Sequence, residues 1–169
     1  MVKQEYIEKL VGAPGHRVVA LHLRGEGRER ELVVELERTD IRFRCPCGRQ
    51  YMRYYDRSGR MVRDLSFGPF RRVWLLFYQF RVSCPACGVK TEQLDWVQSR
   101  VRYTKRLAAA VALSCGEIGT IKATAARFDL HWETVNAIEK KALAEGLPGV
   151  HITDGRRPAL DEFSIRRRH

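Results

Sequence analysis

The sequence predicts an α+β protein in which a small β-rich amino-terminal region precedes an all-α unit. Three observations carry that prediction: apolar residues alternate with period two in the first half, they recur at helical spacing in the second, and two close cysteine pairs stand where extended runs end. After a short helix-like opening, Val19, Leu21 and Leu23 alternate with Val18, Ala20 and His22. Leu32, Val34 and Leu36 alternate in the same way with Glu31, Val33, Glu35 and Glu37, and Gly25 and Gly27 between the two runs predict a hairpin. A third extended piece, Ile41 to Arg44, leads into Cys45. Trp74, Leu76, Tyr78, Phe80 and Val82 are expected to share one face of a further strand, which leads into Cys84.

From Tyr103 the period changes. Leu107, Val111 and Leu113, then Ile121, Ala125 and Phe128, then Val135, Ile138 and Ala142 recur at helical spacing. The run Gly146-Leu147-Pro148-Gly149 is expected to end the last helix, with a linker over residues 150–159. The expected organisation is therefore a β-hairpin region over 1–44, a basic β region holding the cysteines over 45–100, a helical domain over 101–149, and a linker with one further strand over 150–169.

The 169 residues carry 31 Lys and Arg against 20 Asp and Glu, a net charge of +11 that calls for a polyanionic partner. With 44% hydrophobic residues the chain is not disordered throughout, and no apolar run approaches the ~20 residues that span a bilayer. The opening Met1-Val2-Lys3-Gln4-Glu5 is unlike a secretory signal, so a cytoplasmic, nucleoid-associated location without membrane contact is expected. In a reducing compartment the five cysteines are expected as metal ligands or core residues rather than disulfides. The charge is uneven: residues 45–100 hold ten basic and four acidic side chains, among them Arg49, Arg53, Arg57, Arg60, Arg63, Arg71 and Arg72. These arginines either grip a nucleic-acid backbone or simply keep the surface soluble.

Cys45-Pro46-Cys47-Gly48 and Cys84-Pro85-Ala86-Cys87-Gly88 are the candidate ligand set for structural Zn²⁺. Four thiolates close a tetrahedral site, proline presets the turn, and the following glycine permits the backbone that aims amides at sulfur. The first pair is one residue shorter than the second, and four reduced cysteines packed at a strand junction are the alternative. Cys115, alone in an apolar helix, reads as a core residue.

The stretch Thr120 to Ile138 has the spacing of a DNA-reading helix pair. Ala125 allows close approach of two helices, Leu130 plugs the corner, Val135 and Ile138 anchor the second helix, and Asp129 falls at the turn position where glycine is commonest. The second helix, expected from about Trp132 to Ala144, presents Trp132, Glu133, Asn136, Ala137, Lys140 and Lys141 as candidate DNA contacts, joined by Lys122 and Arg127 on the first. Asn136 suits a bidentate contact with adenine, whereas Lys140 and Lys141 suit phosphates. Trp132 reads as either packing or base contact, with packing slightly favoured. A plain helical hairpin with a solvated basic face is the competing reading.

In order, the cysteine pairs, the Tyr55-Asp56 step, the segment Arg81 to Val89, the segment Leu130 to Val135 and the closing Leu160-Asp161-Glu162-Phe163 resemble the ISL-three family of insertion-sequence transposases over residues 40–169. The resemblance implies a zinc-binding region plus helix-turn-helix that recognises terminal inverted repeats on double-stranded DNA. It also implies an RNase H-like domain with three acidic residues that use Mg²⁺ in the full-length catalytic form, the first matched by Asp161. The second and third acids are not in this sequence, so these residues alone are expected not to cut DNA. Three functions stand open: the DNA-binding portion of a DDE transposase, homodimeric or not; a stand-alone regulator derived from one; or an enzyme in which Asp161 and Glu162 join carboxylates from a partner chain.

Overall fold

In a computed structural model of the chain, residues 4–146 are described; Asp161, Glu162 and the expected 150–169 segment lie outside them. The fold is α+β. A helix α1 (Gln4–Val11) precedes strands β1 (His16–Arg24), β2 (Glu31–Arg38), β3 (Phe43–Arg44), β4 (Gln50–Tyr51), β5 (Asp56–Asp64), β6 (Arg72–Cys84) and β7 (Gly88–Thr91). Three helices follow: α2 (Lys105–Ile118), α3 (Ile121–Phe128) and α4 (Trp132–Gly146).

The principal sheet has the order β1-β2-β6-β5, with β7 pairing the far end of β6, while β3 and β4 form a separate two-stranded hairpin. β1 and β2 make the expected antiparallel hairpin, joined through a short 3-10 turn, and β2 runs parallel to β6. Strands from both sides of residue 44 thus share one sheet. Gly25 is required in the β1–β2 connection: its φ is +72°, and a Cβ there would lie 2.6 Å from the Glu29 carbonyl oxygen.

In two strands burial does not simply follow the apolar alternation. In β6 the buried set is Val73, Leu75 and Phe77, packed under α1 with Val62, Trp96 and Val97, whereas Trp74 and Leu76 are half-buried and Tyr78 is exposed. Both faces of β6 are apolar, so alternation alone does not choose between them; the inner face is set by Ile7 and Val11 of α1 and by Leu94 to Val97. The buried side then switches, so that Phe80, Val82 and Cys84 are buried in a second small cluster with Phe43 and Cys45. In β1 a register shift between Val18 and Ala20 turns Val18 inward and leaves Val19, Leu21 and Leu23 largely exposed on an edge strand. β5 carries no legible pattern, since Met61 and Val62 are its only large apolar residues, yet it forms a nine-residue ladder with β6.

The helical unit is joined to the sheet by more than chain connection. Tyr103 bridges Arg63 at the end of β5, and the Lys105 amide donates to the Trp96 carbonyl. The fully buried Asp64 carboxylate accepts from the Thr104 hydroxyl at 2.7 Å and from the Arg106 guanidinium. Thr104 also caps α2, accepting from the Leu107 amide, so one residue both starts the helix and anchors it. No helix of the described residues is long and apolar enough to cross a membrane.

Candidate metal centre and nucleic-acid interface

The short first cysteine pair reaches the second through turn geometry. After β3, the Gly48 amide donates to the Cys45 carbonyl at 2.8 Å and the Cys45 amide to the Arg49 carbonyl at 2.8 Å, folding the chain back into β4. The second pair uses the equivalent turn: the Cys87 amide donates to the Cys84 carbonyl at 3.2 Å between β6 and β7. Gly48 and Gly88 have φ of 89° and 71°, the left-handed conformation that both turns need. As a result the sulfurs of Cys45, Cys47, Cys84 and Cys87 all lie within 4.8 Å of one another. The Cys47 and Cys84 sulfurs are 3.7 Å apart. Four sulfurs at about 2.3 Å from a tetrahedral Zn²⁺ would be separated by about 3.8 Å.

The surroundings favour a thiolate at Cys84. The Tyr51 hydroxyl donates to its sulfur and, against the opposing effect of burial but with the Ala86 and Cys87 amides, holds that thiol down at about 6. Hydrogen bonds with the Cys47 and Cys84 sulfurs push Cys87 up to about 12. At Cys45 the Cys47 amide favours the thiolate, but burial and the neighbouring sulfurs outweigh it and raise the thiol. The nearby Cys84 charge, with Tyr51, raises Arg49. Without a cation the neighbouring sulfurs oppose ionisation of Cys45 and Cys87; a divalent ion would reverse that balance. The residues present therefore fit a thiolate-loving metal such as zinc, with Tyr51 and Arg49 as outer partners that sequence spacing did not single out.

The helix-turn-helix forms at the expected place. Thr120 caps α3 by accepting from the Ala123 amide; Leu107, Val111, Cys115, Ala125, Val135 and Ile138 make its core, with Phe128 and Leu130 packed against them. Asp129 ends α3 at φ 52°, the left-handed turn conformation. An aspartate replaces the usual glycine here for a visible reason. Its carboxylate accepts from Arg71 at 2.9 and 3.1 Å and from Arg72, which also hold Glu29 and Glu31 respectively. Burial pushes the Asp129 carboxyl up, but the Arg72 and Arg71 hydrogen bonds prevail and leave it below the usual range.

Of the expected contact residues, Glu133, Ala137, Lys140 and Lys141 are exposed on α4, Lys122 and Arg127 are exposed on α3, and Asn136 is half-buried. Trp132 is 53% exposed rather than packed, with its ring 6.2 Å from that of His131. Lys141 pairs with Glu145 at 3.6 Å, and Glu133 lies 3.5 Å from His131. The basic middle segment divides. Arg60 bonds Gln79 and the Gln98 and Val101 carbonyls, Arg63 is buried against the Val73 and Arg71 carbonyls, and Arg71 and Arg72 clamp Asp129, so these four serve the fold. Arg49, Arg53 and Arg57 remain on the surface, the last stacked 4.5 Å over Tyr78.

The sequence profile of the helix-turn-helix domain of transposase family ISL3 matches residues 92–142. The chain is 29% identical over 174 residues to the transposase for insertion sequence element IS1001 of Bordetella parapertussis, an alignment that covers all of this chain and 41% of that relative. The chain thus spans less than half the length of the curated relative it matches. No solved structure matches it. Geometry and similarity agree on the same three helices: residues 92–142, which hold α2, α3 and most of α4, are similar to the helix-turn-helix domain of transposase family ISL3.

Proposed function

We propose that this chain binds double-stranded DNA sequence-specifically, at transposon terminal inverted repeats, as the DNA-binding portion of a DDE transposase, with a structural Zn²⁺ held by Cys45, Cys47, Cys84 and Cys87. The observation that supports this most is the outer face of α4, where Glu133, Asn136, Ala137 and Lys140 stand clear of the buried Val135 and Ile138. A helix of this kind enters the major groove with its amino-terminal residues at base edges. Asn136 is the base reader of this set, and Lys140, with no ion-pair partner among the described residues, is a phosphate contact. Zinc would offset half the charge of the four thiolates and fix the two turns that end β3 and β6. Asp161 is assigned as the first catalytic acid, and the residues described position DNA rather than cut it.

The test is an anisotropy titration of inverted-repeat and scrambled duplexes at several salt concentrations. Equal affinity for the two would overturn specific recognition. Asn136→Ala is expected to reduce discrimination between the duplexes by roughly 10-fold, while Lys140→Ala weakens both and lowers the salt slope by about one. For the metal, dialysed protein is expected to keep close to one equivalent of zinc. Retention below about half an equivalent would remove the zinc assignment while leaving the DNA assignment standing.

A further inference from the structure

A broad groove of about 1040 Å³ separates the amino-terminal half of α4 from the sheet. Glu133 and Ala137 line one wall, and Met61 and Trp74 on the less buried face of the sheet line the other. Arg100 and Arg102 border it from the segment that links the sheet to α2. We propose that this groove seats one sugar-phosphate strand of the DNA read by α4, with Arg100 and Arg102 as phosphate contacts; the proposal rests on the DNA-binding reading above.

The argument begins with which cations remain free. Arg60, Arg63 and Arg72 also line the groove, but their guanidinium groups are held by protein carbonyls and carboxylates. The side chains of Arg100 and Arg102 are exposed and have no hydrogen-bond or ion-pair partner among the described residues. They are available to exchange condensed counterions for contacts, the exchange that drives binding to a nucleic-acid backbone. A duplex with α4 in its major groove places a phosphate strand along each flank of that helix. One flank of α4 faces this groove.

The second part of the argument is the backbone that carries them. Arg100 has φ of 70°, one of two non-glycine residues in the left-handed region among the described residues. The other, Asp129, is explained by its arginine clamp. At Arg100 no side-chain hydrogen bond or ion pair among the described residues offsets the cost of about 1 kcal/mol that a side chain incurs in this conformation. The adjoining backbone is fixed: the Arg63 amide donates to the Arg102 carbonyl at 2.7 Å, and the Thr104 amide donates to the Arg63 carbonyl at 3.0 Å. Both guanidinium groups are therefore carried on a stretch registered to β5, whose next residues anchor α2. Recognition helix and phosphate contacts are held in one frame, which is how backbone contacts set the register of a base-reading helix.

The strained position gives a test that separates binding from folding. Arg100→Gly removes the charge and relieves the backbone, so its melting temperature should equal or exceed that of the parent. Its affinity should fall for inverted-repeat and scrambled duplexes alike, with their ratio preserved. The slope of log K against log salt should shrink by about 0.9, so that the loss of affinity between 50 and 200 mM salt is roughly 3.5-fold smaller. Arg102→Ala should repeat the effect, and Lys9→Ala, on the helix that covers the opposite face of the sheet, should leave the slope unchanged. A parent-like slope in both arginine variants, in a protein whose parent binds duplex DNA, would overturn the groove assignment and spare the proposed function. A parent that binds neither duplex would overturn the proposed function, and this inference with it.

Discussion

Residues 45–100 hold ten basic and four acidic side chains and residues 101–149 hold seven and five, yet the larger count does not leave the sheet segment with more free positive charge. In the sheet segment, Arg60, Arg63, Arg71, Arg72 and Arg81 all donate to groups of the protein itself. In the helical segment, Lys122, Arg127 and Lys140 are exposed and make no ion pair among the described residues. Charge counted along a chain therefore does not locate an interface. What locates it is the set of cations left after the fold has satisfied its own carbonyls and carboxylates, and of that set Arg100 and Arg102 border α4.

The comparison is broken most severely at the point where the two regions join. Asp64 is fully buried on β5, and both its partners, Thr104 and Arg106, belong to the start of the helical unit. Asp64→Ala would leave a guanidinium and a buried hydroxyl without their acceptor, a loss of about 3 kcal/mol. Urea unfolding should show this as a lower midpoint. Two separated transitions would mean that sheet and helices no longer unfold together; an unchanged midpoint would show that the junction contributes nothing. Within the sheet region alone, Gly25→Ala combines a left-handed φ with a 2.6 Å approach to the Glu29 carbonyl and should cost about 2 kcal/mol. Because Glu29 also holds Arg71, that variant should loosen the Arg71–Asp129 contact, seen as faster hydrogen exchange at the Asp129 amide.

How much of this was legible in the sequence follows from the range of the interactions. Helix spacing, the cap residues and the corner Leu130 are local, and the three carboxy-terminal helices lie where periodicity placed them. The β1–β2 hairpin was signalled by its glycines, and the four cysteines by their two turns. β5 was invisible because its stability comes from pairing with β6 across an intervening turn, not from its own composition. Which face of β6 is buried could not be read from its alternation because both faces are apolar, and the choice is made by α1 and Trp96, distant in sequence. The roles of Arg71, Arg72 and Asp129 could not be read from spacing either, since 57 or 58 residues separate the partners. The same distance explains why Arg100 gave no signal: only the folded chain shows that it is unpaired and held at positive φ.

The gentlest change tests the clamp by itself. Asp129→Asn keeps a residue that tolerates the left-handed turn and removes only the charge that Arg71 and Arg72 hold. The contact is partly open to solvent, so the loss at neutral pH should be under about 1 kcal/mol. Its pH dependence has a definite sign. The folded-state carboxyl is lowered, so its contribution is fully present above the unfolded value of about 3.9 and is lost as pH falls through the lower folded value. Parent and variant melting temperatures should accordingly differ slightly at pH 7 and converge on acidification through that window. A difference that persisted unchanged below it would show that the asparagine acts through the backbone turn rather than the lost charge. Convergence, together with an altered preference between inverted-repeat and scrambled duplexes at neutral pH, would show that the sheet's arginines influence DNA reading by holding the turn before α4, without touching DNA.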